Sequence, residues 1–167
     1  GKSLVLQVNL KLNDYLTQFI ICLYKNIKQS EELIQYRADD LFDIHIGKTP
    51  PRKESIWFTN DGKENYTWVS IKDMASNGPY LFKSSEYLKP DAIKKFNINR
   101  CPIGSILLSF KLTIGRVGIA AKELVTNEAI ACLNSKDSEK LTYLYPLLKT
   151  YDYASLGSTS SIATAVN

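Results

Sequence analysis

The sequence predicts an α+β fold, a mixed β-sheet domain with small helices preceded by a long amphipathic helix, and three observations carry that prediction. Leu12, Leu16, Phe19 and Leu23 recur at spacings of four, three and four, which places them on one helical face. Beyond Gln29-Ser30-Glu31-Glu32 that period gives way to short apolar runs separated by turn residues. With 167 residues, 44% of them hydrophobic, the chain can bury one core of ordinary size, and no internal repeat divides it.

The elements follow in order. The helical register extends back from Leu12 through Asn9 to Val5 and is widened by Tyr15, Ile20 and Ile27, a stripe too short for an assured coiled coil. It suits either a partner helix or packing on its own domain. Leu41 to Ile46, Thr67 to Ile71 and Ile103 to Phe110 read as strands, with Trp68-Val69-Ser70-Ile71 alternating as a half-buried strand does. Asn60-Asp61-Gly62 and Ser76-Asn77-Gly78-Pro79 mark turns, because glycine tolerates positive φ. Ser84 to Phe96 reads as helix, with Pro90 suited only to a first turn. Leu141 to Tyr151 reads as a helix interrupted or begun at Pro146, followed by the small-residue stretch Ser155 to Thr164.

Composition narrows the function classes. Cys22, Cys101 and Cys132 are odd in number, widely spaced and without a Cys-x-x-Cys pair, which argues against a disulfide framework and a zinc site and for a reducing cytoplasm. The apolar run Phe19 to Tyr24 is far below the roughly 20 residues of a membrane span, so no membrane partner is expected. The opening Gly1-Lys2-Ser3 and the closing Ala165-Val166-Asn167 read as the edges of a fragment.

Catalytic patterns are weak. His45, the one histidine, stands between Ile44 and Ile46 and reads as structural, since no triad partner is apparent. Asp61-Gly62-Lys63 has the Asp-x-Lys spacing of metal-dependent nucleases but is better explained as a turn. Asn77-Gly78-Pro79-Tyr80 approaches the Asn-Pro-Pro-Tyr loop of adenine methyltransferases, yet Gly78 removes the rigidity that loop needs. Without a glycine-rich strand-to-helix turn or a phosphate-binding loop, no cofactor is expected, and a binding module remains.

The formal charge of +4 decides little by itself, but its distribution is informative. Residues 44 to 122 hold thirteen cations against six acids, so the loop-rich middle is strongly basic and the flanks are net acidic. That is the footprint of a nucleic-acid-reading surface, with a merely solvated basic face as the alternative. If Ile106 to Phe110 and Val117 to Ala120 are adjacent strands, the connection Lys111-Leu112-Thr113-Ile114-Gly115-Arg116 displays cations outside the core. The competing reading is a hairpin shaped by Gly115 with Arg116 solvated.

Four motifs carry a resemblance. Phe42-Asp43-Ile44-His45-Ile46-Gly47-Lys48-Thr49-Pro50, Trp68 to Met74, Gly104 to Phe110 with Thr113 to Ile119, and Thr126-Asn127-Glu128-Ala129-Ile130 resemble, in order and spacing over about 38 to 133, a target recognition domain. The family is the DNA specificity subunit of type I restriction-modification systems. Gly157-Ser158-Thr159 with Ala163 to Asn167 looks like that domain's end, and Leu10 to Tyr24 looks like the conserved helix that leads into it. The resemblance implies a helix over 1–30 and a partly barrel-like recognition domain over 31–167, similar to half a specificity subunit. It also implies a non-catalytic role, with double-stranded DNA as ligand, modification (methyltransferase) subunits docked on the helices, a restriction subunit reached through the complex, and self-association through the helix. The family's glycines and Asn127 are then architectural. Charge or hydroxyl chemistry near turns nominates Lys48, Thr49, Arg52, Lys53, Lys72, Lys111, Thr113, Arg116, Ser158 and Thr159 as DNA contacts. A recognition domain cut from a fused methyltransferase and a helix-mediated interaction module are the alternatives.

Overall fold

The structure, a computed structural model, describes residues 11, 15, 16, 18–27, 37–137 and 141–153, with side chains of the last segment from residue 144. Helix α1 covers residues 18–27, and residues 11, 15 and 16 before it are also helical. Val5, Asn9 and Leu12 of the expected stripe lie outside the described residues, but Leu16, Phe19, Ile20, Leu23 and Ile27 are all exposed. Among the described residues, the apolar face of α1 is therefore largely open to solvent.

Among the described residues, nine strands build two mixed sheets. One has the order β1 (Phe42–Ile46), β9 (Ile130–Ser135), β6 (Ile106–Ser109), β7 (Val117–Ala120), β4 (Tyr80–Leu81). The other has the order β2 (Phe58–Thr59), β5 (Glu86–Leu88), β3 (Tyr66–Val69), β8 (Val125–Thr126). Each contains one parallel pair, β4 with β7 and β3 with β8, and neither closes, so the partly barrel-like expectation becomes two open sheets.

Side-chain alternation sorts the core into three layers. Between the sheets lie Val69, Leu81, Leu107, Leu124, Ile130, Cys101 and Cys132. On the outer side of the five-stranded sheet, Phe42, Ile106, Val117, Ala131 and Leu133 meet Leu144 of α5 (Leu141–Thr150). On the outer side of the four-stranded sheet, Trp68, Leu88 and Val125 meet Ala92 and Ile93 of α4 (Pro90–Lys95). Strands β6 and β9 are covered on both faces, which explains their near-continuous apolar sequence; each such Leu or Ile contributes about 1.5–3 kcal/mol.

Several expectations are corrected by competing local chemistry. The strand read over Trp68-Val69-Ser70-Ile71 ends at Val69, because Ser70 caps helix α3 (Ile71–Ser76): its Oγ accepts from Asp73 N and Asp73 Oδ2 accepts from Ser70 N at 2.9 Å. Thr67, Trp68 and Val69 are all buried rather than alternating in exposure. The helix read over Ser84 to Phe96 is strand β5 followed by α4, with Pro90 opening the helix as its fixed φ allows. In the 60–65 turn the positive φ belongs to Glu64 at 60°, not to Gly62, whose absent side chain makes room for the Tyr87 ring. Helix α5 runs through Pro146 instead of starting or stopping there. A short helix, α2 (Ala38–Leu41), precedes β1.

Candidate nucleic-acid interface

The strand ends decide which loops meet. The C-terminal ends of β1, β3, β6 and β8 and the N-terminal ends of β7 and β9 lie together: Gly47 N donates to Ile130 O, Lys48 N to Thr126 O, Asn127 N to Val69 O and Phe110 N to Ala129 O. The loop from 47 to 54, the start of α3, the β6–β7 connection and the 126–129 turn share this end. A Cβ on Gly47 would overlap the Thr126 and Asn127 carbonyl oxygens, so glycine permits the close approach of β1 to the turn. Asn127 Oδ1 accepts from Ala129 N at 3.1 Å, which is the architectural role expected of it.

The polar interruption of the apolar run 104–120 has a specific cause. Ser109, fully buried, closes the connection: its N donates to Arg116 O at 2.9 Å, its O accepts from Gly115 N at 3.0 Å, and its Oγ accepts from Arg116 N while donating to Thr113 O. Gly115 stands at φ 83°, and a Cβ on it would lie only 2.7 Å from the Tyr153 ring, so the residues that trail α5 buttress the loop. At the apex Thr113 N donates to Lys111 O at 2.7 Å around Leu112, which is 94% exposed at φ 62°. Lys111 is exposed, its Nζ 5.6 Å from the Phe110 ring centre.

Arg116 is half-buried rather than solvated, and its Nη1 donates to Ile71 O at 2.8 Å. That bond fixes the connection beside the first turn of α3 and therefore beside exposed Lys72. One donor of a five-donor guanidinium is used there, leaving others for a ligand. Arg116 also lines a pocket of about 400 Å³ between α3, β7 and α5, whose wall includes Met74, Pro79, Tyr145 and Lys149. Lys149 and Tyr145 escaped the sequence reading, since they lie more than 28 residues beyond the loop and only the packing of α5 on β7 brings them near.

Elsewhere two of the nominated cations, Lys48 and Arg52, are engaged internally. Lys48 Nζ donates to Phe96 O at 3.2 Å and Asn97 O at 2.9 Å, clamping the carbonyl end of α4, where a cation is favoured. Arg52 Nη1 donates to both Glu86 carboxylate oxygens at 2.9 and 3.0 Å, and its guanidinium lies 4.5 Å from the ring centres of both Phe58 and Trp68. Thr49 Oγ1 donates to Glu128. Lys53 is exposed, and Ser158 and Thr159 lie outside the described residues. At this end of the sandwich Lys72, Lys111, Arg116 and Lys149 are the cations on or beside the β6–β7 connection and its pocket, and exposed Thr113 gives its carbonyl to the Ser109 lacing.

A second cluster also went unread. His45, Cys101 and Cys132 come together inside the sandwich. The Cys132 hydrogen bond and then burial push the Cys101 thiol up, whereas the Cys101 hydrogen bond holds Cys132 down, with burial opposing and His45 and Ser105 assisting.

With this geometry in place, the known proteins it is similar to become informative. The family model described as the type I restriction modification DNA specificity domain matches residues 30–165. This chain belongs to that family. Over 115 residues it is 30% identical to the type I restriction enzyme MjaIX specificity subunit of Methanocaldococcus jannaschii, covering 68% of this chain and 26% of that one. The fold is that of the HsdS subunit from Thermoanaerobacter tengcongensis, with a TM-score of 0.53 at 15% identity over 98% of this chain and 47% of the other. A chain from a solved assembly of the type I R-M system has a TM-score of 0.54 at 16% identity, covering 89% of this chain and 40% of that one. The specificity domain described here therefore spans about a quarter of the curated relative and about half or less of the solved chains.

Proposed function

We propose that this specificity domain reads double-stranded DNA for a type I restriction-modification complex. The observation that carries the proposal is the β6–β7 connection: Ser109 and Gly115 lace it, Arg116 anchors it to Ile71 next to exposed Lys72, and it displays Lys111 at the same end of the sandwich. Preorganised loops carrying cations suit phosphate positioning, and the uncommitted donors of Arg116 suit base-edge contact. Membership of the DNA specificity family supports the reading. In it, this chain binds DNA and catalyses nothing, while methyl transfer and cleavage belong to modification and restriction subunits in the cytoplasm.

The proposal divides the chain into a docking helix over 1–30 and a reading domain over 31–167. The exposed stripe Leu16, Phe19 and Leu23 supports docking, because neighbours three and four residues apart present one apolar face to solvent among the described residues. A second helix, from a modification subunit or another copy of the chain, would bury it. Among the described residues, no helix is long and apolar enough to cross a membrane.

Duplex-binding measurements test the first half. Affinity should fall steeply with salt and drop when Lys111 and Arg116 are both changed to Ala. Affinity that ignores that double change removes the connection from the interface, and negligible affinity even at low salt removes DNA reading altogether. A calorimetric titration with S-adenosylmethionine should give no heat.

A further inference from the structure

Three atoms of the kind that hold thiophilic metal ions converge between the sheets. His45 and Cys132 are directly opposite in the β1–β9 ladder and so share a face. Cys101 reaches the same place from the segment before β6, anchored by reciprocal backbone hydrogen bonds with Leu124 of 2.7 and 3.1 Å. His45 Nε2 lies 3.8 Å from Cys101 Sγ, and the three ligand atoms all lie within 4.8 Å of one another. Around tetrahedral zinc, Zn–S of about 2.3 Å and Zn–N of about 2.0 Å place ligand atoms roughly 3.5–3.8 Å apart. A contraction of about 1.3 Å at most therefore converts the observed cluster into a coordination set.

The chemistry around the cluster fits. Both cysteines are fully buried in a layer otherwise made of Val69, Leu81, Leu107 and Leu124, while His45 is half-buried and opens one side to solvent. Ser105 Oγ, buried with no hydrogen-bond partner, lies beside Cys132. Two thiols and an imidazole select soft or borderline ions over magnesium or calcium.

We propose that His45 Nε2, Cys101 Sγ and Cys132 Sγ bind one zinc ion. Binding releases the two thiol protons to solvent, and a water molecule admitted past His45 takes the fourth position. Ser105 then donates its orphaned hydroxyl to a thiolate. The ion cross-links β1, β9 and the 101–124 bridge, a structural role independent of DNA reading.

Cobalt titration of the reduced, metal-stripped 167-residue chain tests this. One equivalent of Co²⁺ should produce a thiolate-to-cobalt charge-transfer band that one equivalent of Zn²⁺ abolishes, and Zn²⁺ should raise the melting temperature. Cys101→Ser and Cys132→Ser should each lose the band and weaken zinc binding by about 100-fold or more, whereas Cys22→Ser, at an exposed thiol, should keep both. Circular dichroism of the metal-free variants checks their folding. His45→Gln, a change at a half-buried ring, should melt like the metal-free parent yet lose the zinc-induced rise. No charge-transfer band in the parent chain, or a band of equal strength in Cys132→Ser, overturns the assignment.

Discussion

The 47–53 segment and the 109–116 connection share one end of the sandwich and carry similar sequence signals, cations beside Gly or Pro, yet they use their charges differently. In the first, Lys48 closes the end of α4 and Arg52 is held by Glu86 and two aromatic rings. In the second, the loop is laced by uncharged groups, Ser109 Oγ and the Gly115 amide, with a single Arg116 donor on Ile71 O, so that Lys111 stays exposed and Arg116 has further donors. A cation near a turn is thus a candidate contact only when no carboxylate, aromatic face or helix end within reach claims it.

The sharpest way to break this contrast is at the glycine that seats the first segment. Gly47→Ala should cost about 3 kcal/mol in denaturant unfolding, because the added methyl meets two backbone carbonyls that cannot yield, whereas Leu112→Ala at the other loop's apex should change stability by less than about 0.5 kcal/mol. Next in size, Lys72→Ala with Lys111→Ala should weaken duplex affinity about tenfold near 0.1 M salt with an unchanged melting temperature. Smaller still, Arg52→Ala should cost about 1 kcal/mol of stability, from an exposed ion pair and cation–π contact, with duplex affinity of the folded molecules within about twofold of the parent. Of the variants that lose a contact, Lys48→Ala should lose least, about 0.5–1 kcal/mol of stability from the lost clamp on α4. Should Arg52→Ala reduce affinity more than the Lys72 and Lys111 changes do, the contrast is reversed.

The sequence made some of this readable and hid the rest for physical reasons. Strands β1, β6 and β7 and the loop between the last two follow from apolar runs bounded by glycine, signals that are local. Strand β5 was missed because its three residues owe their extended state to pairing with β2 and β3, which no local propensity reveals. Ser70 read as strand because alternation and an N-cap look alike until Asp73, three residues on, is counted. The roles of Lys48 and Arg52 depend on partners 34 to 49 residues away. Lys149 and the His45–Cys101–Cys132 cluster likewise exist only once the sheets are assembled; the absence of a Cys-x-x-Cys pair says nothing about cysteines that meet through β-pairing.

The most direct measurement is the salt dependence of duplex affinity for the parent chain and for the Lys72→Ala, Lys111→Ala double variant. If those two lysines meet phosphates, the parent's affinity falls linearly with salt on logarithmic axes and the variant's slope is shallower by about 2. Identical slopes would contradict the assignment of this end of the sandwich as the surface that meets DNA.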